Sequence, residues 1–211
     1  MFIRTVTFAL LASLAVVSEA YAKDQDRLNR IADIYQTGDA AKTIKELKSY
    51  LSAHADDDIA LTILGHAYKD GGKNAEAGKS YQEALRLNPK RVEAMTGLGM
   101  LARIAKKYDE SIKWYEEAIR IDPKYAQAYS SIVTIALKKG NAKKAVSMGE
   151  KGVQLDRKDP VLAANLAIAY HYDKQIEARD KMMNTAIRLG SSKEDVEKLK
   201  KIFSGELDIQ D

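Results

Sequence analysis

The sequence predicts an all-α protein made of antiparallel helix pairs in tandem, and three observations carry that prediction. Apolar residues recur at the spacing of a helix buried along one face. Gly38, Gly72 and Gly140 fall in one register, separated by 34 residues and then twice 34. Asn88-Pro89 and Asp122-Pro123 also lie 34 residues apart, closing the runs Leu85-Arg86-Leu87 and Ile119-Arg120-Ile121; Leu155-Asp156-Arg157 repeats the ending without proline. A fixed period of this size marks stacked supersecondary units, none of which buries its apolar face alone.

Within one period the elements follow in order. Leu61, Leu64, Gly65 and Tyr68 share a helical face, Asp70-Gly71-Gly72 makes a turn, and Ala77, Tyr81, Ala84 and Leu85 form the face of a second helix that Pro89 stops. The next period has Met95, Leu98, Gly99 and Ala102, then Ser111, Tyr115, Ala118 and Pro123. Tyr129, Ile132, Val133 and Ala136 follow, with Ala145, Gly149 and Gly152, and Arg157 in the place of proline. The last period has Ala163, Leu166, Ala167 and Tyr170, then Arg179, Met183 and Ala186. Ahead of these, Leu28, Ile31, Ala32 and Tyr35 with Thr43, Leu47, Tyr50 and Leu51 fit as a first unit whose turn is one residue shorter. The units are thus 24–57, 58–91, 92–125, 126–159 and 160–193. Ser192 to Asp195 reads as a helix start with a capping carboxylate. Val196, Leu199 and Phe203 give the capping helix, 194–205, one apolar stripe to lay against the last unit. Gly205 ends it, and 206–211 reads as a loose acidic tail.

The order large–large–small–aromatic, then small–aromatic–small, then proline is complete from Leu61 to Pro89. It resembles the tetratricopeptide repeat family, and the resemblance covers residues 24 to about 193. The family likeness implies a right-handed superhelix of antiparallel helix pairs, with the first helix of each unit lining a concave groove that takes a protein or peptide partner. At the family's groove positions the five units carry Asp26, Asn29, Asp33, Gln36 and Thr37; Ile59, Thr62, His66, Lys69 and Asp70; Glu93, Thr96, Met100, Arg103 and Ile104; Gln127, Ser130, Thr134, Leu137 and Lys138; and Val161, Ala164, Ile168, His171 and Tyr172. Such a groove grades from polar to apolar, which suits a segment with a polar and an apolar half. The expected partner-binding residues are His66, Lys69, Met100, Arg103, Leu137, Lys138, Ile168, His171 and Tyr172. Merely solvated helix faces are the competing reading, weakest for the apolar row. The Lys/Asn/Arg clamp by which some family members hold a C-terminal carboxylate is not expected, because its positions hold Thr62, His66, Gly97, Gln127 and Ser131.

Departures from the pattern make their own predictions. Gly149 and Gly152 stand where an aromatic and a small residue belong, each at a helix-propensity cost of about 1 kcal/mol. Tyr170 or Tyr172 is expected to fill the gap, a pocket for a partner's anchor being the other reading. Arg179 at a small-residue position predicts a local distortion of the last unit. Trp114, beside Tyr115, reads as partly buried at the edge of the core, with an interface anchor as the alternative.

Residues 1–22 differ from the rest. Arg4, the apolar run Val6 to Val17, and Ala20-Tyr21-Ala22 have the layout of a secretory signal peptide cut before Lys23. The run is shorter than the ~20 residues of a spanning helix, so the mature chain is expected outside the cytosolic membrane, in a periplasm, without membrane insertion. There is no cysteine, which excludes disulfides and thiolate sites. The 34 basic and 30 acidic residues interleave without the basic stripe that nucleic acid requires. His54, His66 and His171 share no metal-ligand spacing, and no phosphate loop or nucleophile elbow is present. The expected function is a non-catalytic protein-binding module without cofactor or metal, an envelope adaptor or assembly factor; a self-associating scaffold is the alternative.

Overall fold

The structure, a computed structural model, describes residues 24–209 of the 211-residue chain. The segment read as a signal peptide lies outside the described residues, as do the last two residues of the acidic tail. The described residues are helical with no strand: α1 (24–36), α2 (Ala40–Leu51), α3 (Asp58–Asp70), α4 (Asn74–Leu87), α5 (Val92–Ile104), α6 (Tyr108–Ile121), α7 (Ala126–Lys138), α8 (Ala142–Leu155), α9 (Pro160–Tyr172), α10 (Ile176–Arg188) and α11 (Lys193–Ser204). They form two compact units, one ending at Gly97 and the other starting at Leu98.

Helices α3, α5, α7 and α9 begin 34 residues apart, and one device stops each of them. The amides of Lys73, Lys107, Asn141 and Gln175 each donate to the carbonyl five residues back, on Tyr68, Ala102, Ala136 and Tyr170, at 2.8 Å. The residue before each donor has positive φ: 73° at Gly72, 59° at Lys106, 69° at Gly140 and 63° at Lys174. This is the left-handed helix stop that favours glycine; a residue with a side chain holds it against about 1–2 kcal/mol of steric cost. Gly38, with φ of 80°, continues the register upstream. The turn 37–39 is as long as 71–73, so the expected shortening is absent. Only the buried face of α1, which carries Leu28 and Ile31, is offset by a residue.

A second device repeats between pairs. Asn88, Asp122 and Asp156 leave α4, α6 and α8 with extended backbone. Each side chain accepts a hydrogen bond from the amide two residues on, in Lys90, Lys124 and Lys158. The side chain imitates a backbone turn, which is why Asp156 needs no proline after it.

In the first unit, Leu28, Ile31, Leu47, Tyr50, Ala60 and Leu64 form one core cluster. Tyr81 is fully buried, and a Cβ added at Gly65 or at Gly97 would come within 2.4 Å of its ring. Close packing of this kind requires small residues on both sides of the ring. Arg91 Nε and Asn88 Nδ2 donate to Asp58 at 2.6 and 2.9 Å, tying the end of one pair to its own start. Burial alone would raise the Asp58 carboxyl; the two hydrogen bonds and the Arg91 charge outweigh it and hold it below its ordinary value.

The second unit is built around Val133, Ala136, Leu162, Leu166, Leu199 and Ile202. The gap at the two helix glycines is filled, but by leucines and not by Tyr170 or Tyr172. A Cβ at Gly149 would lie 2.8 Å from Leu166 Cδ1, and one at Gly152 would lie 2.9 Å from Leu162 Cδ2. Helix α10 is unbroken through Arg179, contrary to the distortion expected there: the largely covered guanidinium bonds Asp180 and lies 5.0 Å from the Phe203 ring centre. Trp114 is half-buried next to the buried Tyr115. Helix α11 starts on a capping box between Ser192 and Asp195 and ends at Gly205, φ 80°. The tail is not loose over its described part, since Leu207 and Ile209 pack against the core.

Candidate functional site

The first unit's expected contact residues, His66 and Lys69, are each engaged with a neighbouring side chain. On α3, His66 is half-buried, and its Nδ1 lies 2.7 Å from the Tyr81 hydroxyl. Burial, reinforced by the Lys69 charge, depresses the His66 pKa, which favours the neutral ring in its hydrogen bond with the Tyr81 hydroxyl. Lys69 Nζ pairs with Asp70 at 2.6 Å, and Tyr35 donates to the other Asp70 oxygen at 2.7 Å. These contacts outweigh the effect of burial and lower the Asp70 carboxyl. A surface already knitted in this way offers a partner few unsatisfied groups.

The second unit holds a cleft of about 670 Å³, within the range of small-ligand and peptide-anchor sites. One wall comes from α7 and α9: Thr134, Leu137 and Lys138, then Val161, Ala164, Asn165 and Ile168. The facing wall comes from α11 and the segment after it: Asp195, Lys198, Leu199, Ile202, Leu207, Asp208 and Ile209. The floor is apolar, with Leu137 and Ile168 nearly buried, while Val161 remains 61% exposed. Lys138 and Lys198 make no ion pair among the described residues. Asp195 is committed to Ser192, whose hydroxyl and amide both donate to it.

The structure therefore brings Leu137, Lys138 and Ile168 to one cleft and distributes the other expected residues elsewhere. Met100 and Arg103 are half-buried on α5 and do not line it. His171 lies against α11, 5.1 Å from the Phe203 ring, and its buried Nδ1 has no hydrogen-bond partner among the described residues. Burial and the Arg179 charge lower its pKa. Tyr172 is directed to the segment after α11, its hydroxyl 3.4 Å from an Asp208 oxygen. Ile168 is part of the core cluster, so it belongs to the floor and is not an exposed contact. The sequence reading missed the second wall. Its signal was the alternation Leu207-Asp208-Ile209, two apolar residues either side of a carboxylate, hidden by the acidity of the stretch as a whole.

No curated protein sequence matches the chain significantly. A family model described as "Tetratricopeptide repeat" matches residues 64–126. Solved structures share the fold. Pseudomonas aeruginosa pilF superposes with a TM-score of 0.76 at 16% identity, covering 87% of this chain and 85% of that one. MamA gives a TM-score of 0.63 at 23% identity over 79% and 94% of the two chains. YrrB, described as a TPR protein with an unusual peptide-binding site, gives 0.63 at 15% identity over 83% and 90%. The tetratricopeptide repeat is thus matched in sequence from Leu64 to Ala126, and the fold of helix pairs is matched in these structures.

Proposed function

We propose that the chain is a non-catalytic protein-binding module whose second unit grips a short segment of a partner protein in the cleft between α7, α9 and α11. The observation that carries this reading is the cleft itself, with an apolar floor, the exposed Val161 and two lysines that have no paired carboxylate among the described residues. Exposed apolar surface next to unpaired charge is the composition of a recognition site, in which the apolar part supplies affinity and the charge supplies register. The peptide-binding site in the description of YrrB supports the same class of function. We extend the proposal to location: the layout of residues 1–22 supports export and a role as an envelope adaptor or assembly factor, which predicts a mature protein that begins at Lys23 when its N-terminus is sequenced.

The test is selection of peptides from a displayed library on the folded chain. Enriched peptides should lose binding to Val161→Asp and to Lys138→Glu, both changes on the surface that leave the core intact. Enriched peptides that bind both variants as well as the parent would sink the proposal. Concentration-dependent oligomers that survive both substitutions, with no peptide enriched, would favour the self-associating scaffold instead.

A further inference from the structure

We propose that α11 is a pH-sensitive wall of the cleft, held against α9 and α10 while the His171 ring is neutral and loosened when that ring takes up a proton. Its bearing on a partner rests on the cleft being the protein-binding site proposed above; the loosening itself does not.

His171, near the end of α9, packs on Phe203 of α11 with ring centres 5.1 Å apart and planes tilted by 32°. The Arg179 guanidinium of α10 lies 5.0 Å from the same Phe203 ring. One aromatic side chain of α11 is thus shared by a histidine and a cation from the two helices it packs on. His171 is half-buried, yet its Nδ1 is covered and has no hydrogen-bond partner among the described residues. A neutral imidazole can carry its single proton on Nε2 and leave Nδ1 bare. An imidazolium has a proton on both nitrogens, so its Nδ1–H becomes a buried donor without an acceptor, which is the costlier state.

The charged groups nearby do not offset that cost. Burial, the larger cause, and the Arg179 charge both lower the proton affinity of the ring. Asp180 is bonded to the Arg179 guanidinium on α10. Asp173, which caps α9, accepts from the Gln175 side-chain amide, and Asp208, after α11, faces the Tyr172 hydroxyl at 3.4 Å. From α11 the ring meets Phe203, which has no charge.

Helix α11 is the element that yields. Leu199 and Ile202 are its two buried side chains, and a terminal helix with so few anchors opens at lower cost than the core. With α11 released, the ring returns to the ordinary histidine value of about 6.5. Above that pH the ring is neutral in both states and docking is complete. As the pH falls from about 6.5 through the lowered value, proton uptake favours the released state and docking weakens. Lys198, Leu199 and Ile202 then leave the cleft wall together.

The test is hydrogen exchange of the full chain at about pH 7.5 and about pH 5, a window in which ordinary carboxylates stay mostly ionised. Protection factors remove the intrinsic pH dependence of exchange. Those of the α11 amides should fall about fivefold relative to those of α7, the equivalent of one buried donor left unpaired. His171→Phe keeps an aromatic ring against Phe203 and cannot titrate, and His171→Gln is polar and cannot titrate. In both, the ratio of α11 to α7 protection should be the same at the two pH values. A constant ratio in the unmodified chain overturns the inference. So does a fall that persists in both variants, which would place its source in another group, such as Asp195 of the capping box. The measurement contains no peptide, so its failure is distinct from a failure of peptide selection, which tests the function proposed above.

Discussion

The α3–α4 contact of the first unit and the α8–α9 contact of the second solve the same packing problem with opposite distributions of size. In the first unit the first helices are small at the contact, with Gly65 on α3 and Gly97 on α5, and the second helix α4 supplies the large side chain, Tyr81. In the second unit Gly99 on α5 still faces Tyr115 of α6, but at the α8–α9 contact the second helix is small, with Gly149 and Gly152, and the first helix α9 supplies Leu166 and Leu162. The difference shows that close approach is a property of a pair of facing positions and not of one residue class at one position. A glycine that departs from the family pattern is compensated when the facing helix brings a larger group. It also separates chemistry: the tyrosine carries a hydroxyl that bonds His66 and fixes a polar face, whereas the leucines leave only apolar surface.

The comparison is broken most severely at Tyr81. Tyr81→Ala should destabilise the chain by about 3–5 kcal/mol, the range for deleting a buried aromatic side chain, read from urea unfolding. In that background Gly65→Ala should be tolerated, because its Cβ no longer meets a ring; a Gly65→Ala that is equally harmful with and without Tyr81 would contradict the reciprocal packing. Gly149→Ala gains about 1 kcal/mol of helix propensity but forces Leu166 aside. Overpacking at about 1–3 kcal/mol wins, for a net loss of about 1 kcal/mol. Adding Leu166→Val should recover part of that loss, with a coupling energy of about 1 kcal/mol in a double-mutant cycle.

The clamp at Asp58 tests the first unit alone. Arg91→Ala should cost about 1–2 kcal/mol at neutral pH. Because the folded-state carboxyl titrates below its unfolded value, the clamp's contribution is complete above about pH 4 and disappears as the pH falls through the lowered value. The gap between parent and variant should therefore narrow on acidification, and a constant gap from neutral to acid pH would remove Asp58 as its source. The smallest effect is expected at Lys174. Lys174→Gly relieves a left-handed residue worth about 1–2 kcal/mol against an entropy loss of about 0.5–1 kcal/mol, raising stability by roughly half a kilocalorie per mole in thermal unfolding.

Much of the scaffold was legible because it is written in periodic positions. Gly72 and Gly140 announced the left-handed turns, Pro89 and Pro123 announced the helix stops, and the buried faces followed from spacing. Lys106 and Lys174 were silent members of the same series, since their conformation is imposed by neighbouring hydrogen bonds and not by their own preference. The cleft was half legible. Thr134, Leu137, Lys138, Val161, Ala164 and Ile168 occupy positions that the family pattern assigns to the groove, and they do line one wall. The opposite wall was not, because docking of Leu207 and Ile209 is a long-range contact that no local period encodes. The identity of the groups filling the space at Gly149 and Gly152 was hidden for the same reason: a missing side chain reveals a gap but not which neighbour enters it.

The recurring turns at 72, 106, 140 and 174 also act as a ruler for how such a chain changes in length. Adding or removing one full interval returns every later helix to its former face. Losing a single residue inside a helix turns everything beyond it by about 100°, which moves core positions to the surface and surface positions inward. Variation in a protein of this construction is therefore quantised in helix pairs, and its interaction surface lengthens or shortens by whole modules.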